Sequence, residues 1–252
     1  METAFPSSIH NSRGGAGTWR PVVQSIELMK KHKVEFNVLC VLSQANVEKP
    51  REVYKFFRGL GIDYMQFIPL SEFEASGQPY PFTITPEQYG RFLCEMFDLW
   101  WPERRKVRIR LFDNIAEALA GQRPGNCTMH ETCDSYVVVE YNGDIYPCDF
   151  FVEQSWKLGN LNVDSWPEIA RRAKRFDFAG KKTLLHDECR QCEYAWICKG
   201  GCPKHRHDQR GQFNDLDYFC GAYKMIYGKS LAPLKKDVEK ILARQNMAAS
   251  PH

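Results

Sequence analysis

The sequence has 252 residues, which is enough for one large domain or two smaller ones, each with its own hydrophobic core. Hydrophobic residues make up 43% of the chain and charged residues 26%, with a net charge of +3. This balance is too weakly basic to favour nucleic acid or a membrane surface as a partner. No run approaches the roughly 20 apolar residues of a membrane span, and the first residues lack the order of a signal peptide. We therefore expect a cytoplasmic protein.

The first 120 residues alternate between helical and strand-forming segments. Three helices are predicted at residues 18–33, 50–60 and 86–101, and three strands at residues 34–41, 62–70 and 107–112. Thr85 and Gln88 predict a capping box at the start of the third helix, and Asp113 is predicted to cap a fourth helix. The alternation predicts an α/β fold with a parallel sheet and helical crossovers. A sheet of three parallel strands is small and has open edges, so this unit looks incomplete.

The chain becomes rich in turns at Gly121. Residues 136–148 predict a β-hairpin, because two strand-forming runs flank Asn142-Gly143, a pair that suits a tight primed turn. A short helix is predicted at 165–176 and a C-terminal helix from about Ala222 to Arg244. We therefore divide the chain into three segments, 1–120, 121–225 and 226–252.

Ten cysteines are distributed unevenly along the chain. Cys40 lies in an apolar strand and Cys94 in a helix, and both are predicted to be small core residues. The other eight all follow Gly121: Cys127, Cys133, Cys148, Cys189, Cys192, Cys198, Cys202 and Cys220. Disulfides are rare in the reducing cytosol. Eight thiols make two sets of four, and four thiolates complete one tetrahedral zinc site or one iron–sulfur cluster.

The spacing of these eight cysteines favours iron–sulfur clusters, with zinc as the alternative. A zinc ribbon usually pairs two Cys-x2-Cys motifs, whereas this sequence has one, Cys189-x2-Cys192. Cys202 follows Cys198 so closely that it is placed to reach a second site, as happens in two-cluster ferredoxins. His186, His205 and His207 lie near the cysteines, but we leave them out because eight thiolates already fill two sites.

The cysteine order resembles a known domain. Cys127-x5-Cys133-x14-Cys148, followed by Cys189-x2-Cys192-x5-Cys198-x3-Cys202-x17-Cys220, is similar to the auxiliary-cluster domain, called SPASM, of radical S-adenosylmethionine enzymes. Six flanking stretches resemble the anaerobic sulfatase-maturating enzymes of that superfamily: VEFNVLCV, YMQFIP, FDLWW, DIYPCDFFV, WKLGN and ICKGGC. The likeness extends from about residue 9 to about residue 225. It implies the second half of a partial (β/α)6 radical S-adenosylmethionine barrel, followed by a SPASM domain with a β-hairpin and a C-terminal helix.

The resemblance also implies cofactors, a reaction and partners. Two auxiliary [4Fe–4S] clusters are implied, one held by Cys127, Cys133, Cys148 and Cys202, the other by Cys189, Cys192, Cys198 and Cys220. The implied reaction oxidises a peptidyl cysteine or serine of a sulfatase to formylglycine. S-adenosylmethionine, cleaved at a third [4Fe–4S] cluster, supplies the radical that starts it, and the auxiliary clusters accept electrons. The implied partners are the sulfatase polypeptide and an electron-transfer protein such as a ferredoxin or flavodoxin.

Three further site residues are implied by position. Asp149 directly follows Cys148, where the family's proposed proton acceptor lies, and a carboxylate there is chemically suited to be the base. The alternative is that Asp149 caps a turn. Arg13 resembles the arginine that pairs with the S-adenosylmethionine carboxylate, with a solvated loop arginine as the alternative. Met65 falls where the adenine is contacted, with a buried strand methionine as the alternative.

One departure from the family is plain in the sequence. The radical cluster of the family needs Cys-x3-Cys-x2-Cys, and these 252 residues contain no such triad. We therefore expect a C-terminal piece of a maturase, from a truncated gene model, a degraded gene or a split enzyme. Alone, it is predicted not to cleave S-adenosylmethionine. Two alternatives remain: another SPASM-type peptide-modifying protein of the superfamily, and a non-enzymatic zinc-binding module.

Overall fold

A computed structural model describes residues 17–210 and 213–249 of the chain. These residues form two compact units. The first unit extends to Glu74 and also includes Pro79–Gln122 and the chain from Gly221 onward, while the second comprises Ala75–Gln78 and Arg123–Cys220. The C-terminal helix, which the sequence analysis set apart as its own segment, is thus grouped with the first unit. A membrane-spanning helix is not found among the described residues.

The helices are numbered here in chain order. They are α1 (Trp19–Lys31), α2 (Pro50–Gly59), α3 (Pro86–Trp100), α4 (Arg110–Leu119), α5 (Trp166–Phe176), α6 (Phe178–Lys181), α7 (Asp187–Arg190), α8 (Ala195–Cys198), α9 (Pro203–Arg210) and α10 (Cys220–Ala249). The long helices α1 to α4 belong to the first unit, whereas α5 to α9 belong to the second. The three predicted helices of the first unit, at 18–33, 50–60 and 86–101, agree with α1, α2 and α3.

The first unit contains a parallel sheet of three strands. They are β1 (Val38–Leu42), β2 (Tyr64–Pro69) and β3 (Arg108–Ile109), in the order β1-β2-β3. Val38 pairs with Met65, and Tyr64 pairs with Arg108. The predicted parallel pairing of three strands is therefore confirmed, and helices lie between consecutive strands in the chain.

Helix α3 supplies much of the apolar core of the first unit. Its capping box is confirmed, because Gln88 N donates to Thr85 Oγ1 at 3.1 Å and Thr85 N donates to Gln88 Oε1 at 2.8 Å. The buried face carries Phe92, Leu93, Met96, Phe97 and Trp100. These positions recur at the three- and four-residue spacing of one helix face, so the sequence pattern and the burial agree.

The prediction around Asp113 is wrong in two respects. The third strand spans Arg108–Ile109 rather than 107–112, because helix α4 already begins at Arg110. Asp113 is not the cap of that helix but lies in its first turn, where its Oδ2 accepts a hydrogen bond from Arg108 Nε at 2.8 Å. The helical conformation puts Phe112 and Ile115 on one buried face, which a strand through Phe112 does not allow.

The second unit has short strands. They are β4 (Val138–Val139), β5 (Asp144–Tyr146) and β6 (Gly159–Asn160), and they form an antiparallel sheet in the order β4-β5-β6. Strands β4 and β5 pair across Asn142-Gly143, at the position predicted for the hairpin, and Gly143 has the positive φ of 84° that such a turn favours. The sequence analysis did not foresee β6. A small apolar cluster of Ile145, Leu158 and Ile169 lies against this sheet and helix α5.

Candidate metal centre

The eight cysteines that follow Gly121 all lie in the second unit, and each is a free thiol. The two cysteines predicted to be core residues lie in the first unit. Cys40 is buried in β1, where desolvation raises the pKa of its thiol to about 12, and Cys94 is half-buried in α3. The structure thus separates structural thiols from the candidate ligands.

Turns, rather than long helices or strands, position most of the candidate ligands. Cys127 begins a 3-10 turn, Cys127–Met129, in which the Asn126 side chain accepts a hydrogen bond from Thr128 N at 3.2 Å. Cys148 follows β5, and its carbonyl accepts a bond from Phe151 N at 3.0 Å. Cys133 N approaches the Ala179 carbonyl at 3.4 Å. These hydrogen bonds fix the backbone at three thiols that are far apart in the sequence.

A left-handed segment separates Cys198 from Cys202. Lys199, Gly200 and Gly201 have φ angles of 50°, 75° and 72°. This conformation is unfavourable for residues with a Cβ, which explains the two glycines. A Cβ on Gly200 would lie 2.5 Å from Arg206 Nη2, and one on Gly201 would overlap the Asp217 carboxylate. The ICKGGC stretch therefore encodes a sharp change of chain direction between two candidate ligands.

Cys202, which follows this turn, and three cysteines earlier in the second unit affect one another's pKa values. Burial raises the pKa of Cys202, and the charges of Cys148 and Cys133 raise it further. Burial also raises the pKa of Cys133, with Cys127 adding to the effect. These charge effects connect Cys127, Cys133, Cys148 and Cys202, the thiols that the family resemblance assigns to one cluster.

A second set forms in the same way. Burial raises the pKa of Cys198 to about 12, and the charges of Asp217, Cys220 and Cys189 act in the same direction. Burial is also the main cause that raises the pKa of Cys189. The charge of Arg206 lowers this pKa, and the charge of Cys192 raises it. These charge effects connect Cys189, Cys192, Cys198 and Cys220, the thiols that the family resemblance assigns to the other cluster. The family resemblance implies these two sets, and both the division into sets and their binding of clusters stay predictions.

A cluster and a single ion differ in how close together their ligands must lie. Among the residues that the structure describes, no group of three or more His, Cys, Asp or Glu surrounds one point closely enough for a single metal ion. The thiolates of a [4Fe–4S] cluster bind four separate irons, so they stand farther apart than the ligands of one zinc.

Two fully buried cations accompany the thiols. Lys182 is 0% exposed, and its Nζ donates to the carbonyls of Cys127 at 2.7 Å and Thr128 at 2.8 Å. Arg206 is 1% exposed and donates to five carbonyls, those of Lys182, Leu184, Lys199, Gly200 and Phe213. The described hydrogen-bond partners of both are backbone carbonyls. Burying a charge is costly unless an opposite charge compensates it. A thiolate-bound [4Fe–4S] cluster carries net negative charge and fits this environment.

A buried carboxylate links the two sets. Asp217 Oδ2 accepts a bond from Cys202 N, and Oδ1 accepts one from Phe219 N, both at 2.7 Å. The Asp217 carbonyl accepts a bond from Cys220 N at 2.9 Å. One residue thus fixes the backbone of a cysteine from each set. The sequence analysis missed Asp217, Lys182 and Arg206, because cysteine spacing carries no signal for them.

The predicted base Asp149 lies beside the first set. Its side chain is exposed, and Oδ1 accepts a hydrogen bond from Tyr136 Oη at 2.9 Å. The Cys148 thiol also donates to Oδ1 at 3.3 Å, and Tyr136 Oη lies 3.7 Å from Cys148 Sγ. The pKa of Tyr136 is raised, first by burial and then by Cys148 and Asp149. Asp149 is therefore an accessible carboxylate adjoining a candidate ligand, and Tyr136 orients it.

The remaining predicted residues have other surroundings. Met65 is fully buried in β2, and its predicted contact with adenine stays a prediction. Arg13 lies outside the described residues, as does the side chain of His207. His186 precedes α7, where its Nδ1 accepts a bond from Glu188 N at 3.2 Å. His205 is buried with Nδ1 3.5 Å from Asp217 Oδ2.

Comparisons with known proteins agree with this site. Residues 127–193 match the model of the SPASM iron–sulfur cluster-binding domain. That segment contains five of the eight candidate ligands and ends before Cys198. An iron–sulfur function of the second unit is therefore supported by a family model as well as by its thiols.

Relatives match over most of the chain. The cysteine-type anaerobic sulfatase-maturating enzyme of Clostridium perfringens (strain 13) is 33% identical over 231 residues, which is 88% of this chain and 62% of the relative. The serine-type anaerobic sulfatase-maturating enzyme of Bacteroides thetaiotaomicron is 33% identical over 264 residues, which is 98% of this chain and 64% of the relative. The chain thus spans less than two thirds of these curated relatives.

A solved structure gives the same picture. Native anSMEcpe with bound AdoMet and Cp18Cys peptide superimposes with a TM-score of 0.84 and 32% sequence identity. The match covers 94% of this chain and 68% of that one. The mixed α/β fold with a SPASM domain is therefore shared with a solved structure.

Proposed function

This chain belongs to the family of anaerobic sulfatase-maturating enzymes, and we propose that its second unit binds two [4Fe–4S] clusters that serve sulfatase maturation. The observation that carries the proposal is the presence of eight free thiols in one unit, beside two buried cations. The first cluster is assigned to Cys127, Cys133, Cys148 and Cys202, and the second to Cys189, Cys192, Cys198 and Cys220. The thiolates that hold them form as protons are released on binding.

The first unit is assigned to the second half of a partial (β/α)6 barrel. The support is its parallel sheet with helices between consecutive strands and its likeness to a solved maturase structure. Arg13 and Met65 are the residues of this unit assigned to S-adenosylmethionine, through its carboxylate and its adenine.

The reaction assigned to the complete system is the oxidation of a peptidyl cysteine or serine of a sulfatase to formylglycine. The peptide loses two electrons and two protons in this conversion, and for cysteine the resulting thioaldehyde then reacts with water to give the aldehyde and hydrogen sulfide. When bound, the clusters supply sites that accept single electrons, at potentials tuned by burial and by hydrogen bonds to sulfur. A ferredoxin or flavodoxin is the class of protein suited to carry those electrons away.

Asp149 is assigned the role of base. A general base must lie within hydrogen-bond reach of the proton that it takes, and the exposed position of Asp149 allows a peptide to approach. Its Oδ1 already accepts a bond from Tyr136 Oη, which does not depend on the proton that Cys148 loses on binding a cluster. Oδ2 is therefore the oxygen that we assign to receive the proton, while Tyr136 holds the carboxylate in place.

The radical that starts the reaction is assigned to a source outside these 252 residues, because the sequence contains no Cys-x3-Cys-x2-Cys triad. The chain alone should therefore release neither methionine nor deoxyadenosine from S-adenosylmethionine. Detection of both products with the purified, reconstituted chain, above a sample without protein, contradicts this assignment.

The cluster assignment is tested by anaerobic reconstitution with iron and sulfide. The chain should turn brown and hold about eight irons and about eight sulfides, since each [4Fe–4S] cluster contributes four of each. Cys133→Ala should lose about half of the iron, whereas Cys40→Ala should keep all of it because Cys40 lies in the other unit. A colourless protein that carries zinc, or one holding well under about four irons, contradicts the assignment.

A further inference from the structure

We propose that the basic face of helix α5, together with Lys181, is a docking surface for an electron-transfer protein whose own docking face is acidic. This docking surface comprises Arg171, Lys174, Arg175 and Lys181. The inference rests on the proposed function, because the carrier takes its electron from a cluster held beside the surface. It deepens that function by naming the place on the chain where the carrier binds.

Positive charge is concentrated in one short segment of the second unit. Residues 171–182 contain six basic residues and one acidic residue, a net charge of +5, whereas the whole chain carries +3. Two of the six basic residues have other surroundings, because Arg172 Nη1 pairs with Asp164 Oδ2 at 2.7 Å and Lys182 is fully buried. The other four form the docking surface, and all of them are at least partly exposed.

The sequence of α5 puts its apolar and basic residues on different faces. Ile169 and Phe176, seven residues apart, belong to the small apolar cluster of this unit. Arg171, Lys174 and Arg175 share another face, since residues three and four apart are neighbours on a helix, and like charges at this spacing weaken a helix slightly. The favourable effect of cations in the last turn accounts for the second and third of them but not for Arg171. This face therefore suits contact with an acidic partner.

The charges of the docking surface are available to an external partner. Lys174, Arg175 and Lys181 form no ion pair with a carboxylate in the part of the chain that the structure describes. The nearest acidic residue in the sequence is Asp177, and its Oδ1 accepts a hydrogen bond from Gly180 N at 3.2 Å. A carboxylate on another protein can therefore pair with these cations without breaking an existing ion pair.

The docking surface lies beside candidate cluster ligands. Helix α6 follows α5 directly, and the carbonyl of Ala179 in this helix lies 3.4 Å from Cys133 N. Lys182, the residue after Lys181, turns inward and its Nζ donates to the Cys127 carbonyl at 2.7 Å. One short segment thus joins the docking surface to the backbone of two candidate ligands.

A series of contacts also connects Lys181 to Cys148. Lys181 Nζ lies 5.7 Å from the centroid of the Phe213 ring, which stacks on the Phe151 ring with centroids 6.0 Å apart. Phe151 N donates to the Cys148 carbonyl at 3.0 Å. Electron transfer through protein weakens steeply with distance, so a carrier has to bind on a surface near the cluster. Redox complexes often bury less than about 1,200 Å², so one helix face and the adjoining turn are large enough.

The step assigned to this complex moves one electron. A reduced cluster beside Cys133 and Cys148 is oxidised, and the flavin of an oxidised flavodoxin gains the electron that the cluster loses. Opposite charges on the two docking faces steer the proteins together and increase the association rate. Salt screens this attraction, so we expect the complex to weaken as the ionic strength rises.

Calorimetric titration of the reconstituted full chain with an oxidised flavodoxin of net negative charge tests the proposal. The titration is done at about 0.01 M and about 0.15 M salt, between which the Debye length falls from about 30 Å to about 8 Å. Lys174→Glu combined with Arg175→Glu reverses two charges of the docking surface. We expect this variant to keep its iron, to bind at least about tenfold more weakly at low salt and to lose most of the salt dependence.

A matched control changes the net charge by the same amount elsewhere. Lys235→Glu combined with Lys236→Glu reverses two exposed charges of α10 in the first unit and should leave binding unchanged. A second measurement follows the cluster absorbance while oxidised flavodoxin reoxidises the reduced chain. This reaction should slow by at least about tenfold in the α5 variant. Reoxidation by a small neutral quinone, which charge does not steer, should keep its rate.

Each outcome decides the proposal. Equal binding by the α5 variant and the control overturns it. It is also overturned if RNA duplex, or vesicles of phosphatidylcholine and phosphatidylserine, bind more tightly than flavodoxin and lose this binding in the α5 variant. If the double reversal lowers bound iron, Lys174→Gln combined with Arg175→Gln replaces it, and unchanged binding in that variant overturns the proposal. A chain with full iron that does not bind flavodoxin refutes this inference alone, whereas a chain that takes up no iron refutes the proposed function and the inference with it.

Discussion

The two units of the chain are stabilised by different kinds of interior. In the first unit, large apolar side chains such as Trp100 and Phe112 pack together, with their ring centroids 4.9 Å apart, around a parallel sheet. In the second unit, strands of two or three residues accompany a buried lysine, a buried arginine and a buried aspartate. Apolar burial stabilises any unit that has enough of it, whereas buried charges require partners. The first interior is therefore mainly apolar, while the second also contains buried charges, for which we expect clusters held by its thiols to be the partners.

Removal of the metal should produce the largest difference in stability between the two units. In the cluster-free chain, amides of the second unit should lose most of their protection against hydrogen exchange, because binding energy at such sites is folding energy. Amides of α3 and β2 in the first unit should stay protected. Exchange followed by mass spectrometry, before and after anaerobic chelation of iron, measures both. Equal protection of the two units in the cluster-free protein would show that the second interior also stands without its clusters.

A cavity made by mutation in the core of the first unit should destabilise that unit and leave the metal content of the second unit unchanged. Phe112 is fully buried against Phe97 and Trp100, so Phe112→Ala should lower the free energy of unfolding of this unit by about 3–5 kcal/mol. The iron content of the protein should not change. Phe82→Ala, at a ring that is only about half buried, should cost much less. Urea unfolding followed by hydrogen exchange in α3 gives the loss, and a fall in bound iron would contradict the separation of the two interiors.

The left-handed turn between the thiol sets gives a smaller effect that belongs to the second unit. Gly201→Ala places a Cβ at a φ of 72° and against the Asp217 carboxylate. The strain should cost about 1–3 kcal/mol and reduce bound iron. Gly59→Ala is the matched control, because Gly59 lies in α2 with open space around it and alanine favours helices. Full iron in Gly201→Ala would mean that the turn tolerates a side chain and does not set the ligand geometry.

This contrast also explains how much of the molecule the sequence predicts. Helices α1 to α3 and the three parallel strands follow from apolar spacing and from start signals such as Thr85 and Gln88, because these are local properties. The boundary at Arg110 was missed because apolar residues at 109, 111 and 112 suit a strand as well as a helix. Strand β6 was missed for a related reason, since Gly159–Asn160 is too short to show alternation.

The candidate site likewise contains residues that the sequence predicts and residues that it does not. Cysteine spacing and the family resemblance name the eight thiols, and the structure places all eight in the second unit, while their division into two sets stays a prediction. Lys182, Arg206 and Asp217 were not predicted, because lysine, arginine and aspartate ordinarily lie on the surface. Their burial results from contacts with backbone groups far away in the sequence, as between Lys182 Nζ and the Cys127 carbonyl. No local pattern encodes such a contact.

The smallest effect is expected at the best-predicted feature of the first unit. Thr85→Ala removes the hydroxyl that caps α3, so one of the first amides of the helix loses its acceptor. The free energy of unfolding should fall by about 1 kcal/mol, while Thr85→Ser, which keeps a hydroxyl, should cost only a fraction of that. Urea unfolding of the two variants measures the difference, and bound iron should be the same in both. Equal losses in the alanine and serine variants would mean that the methyl group of Thr85, rather than its hydroxyl, stabilises the start of α3.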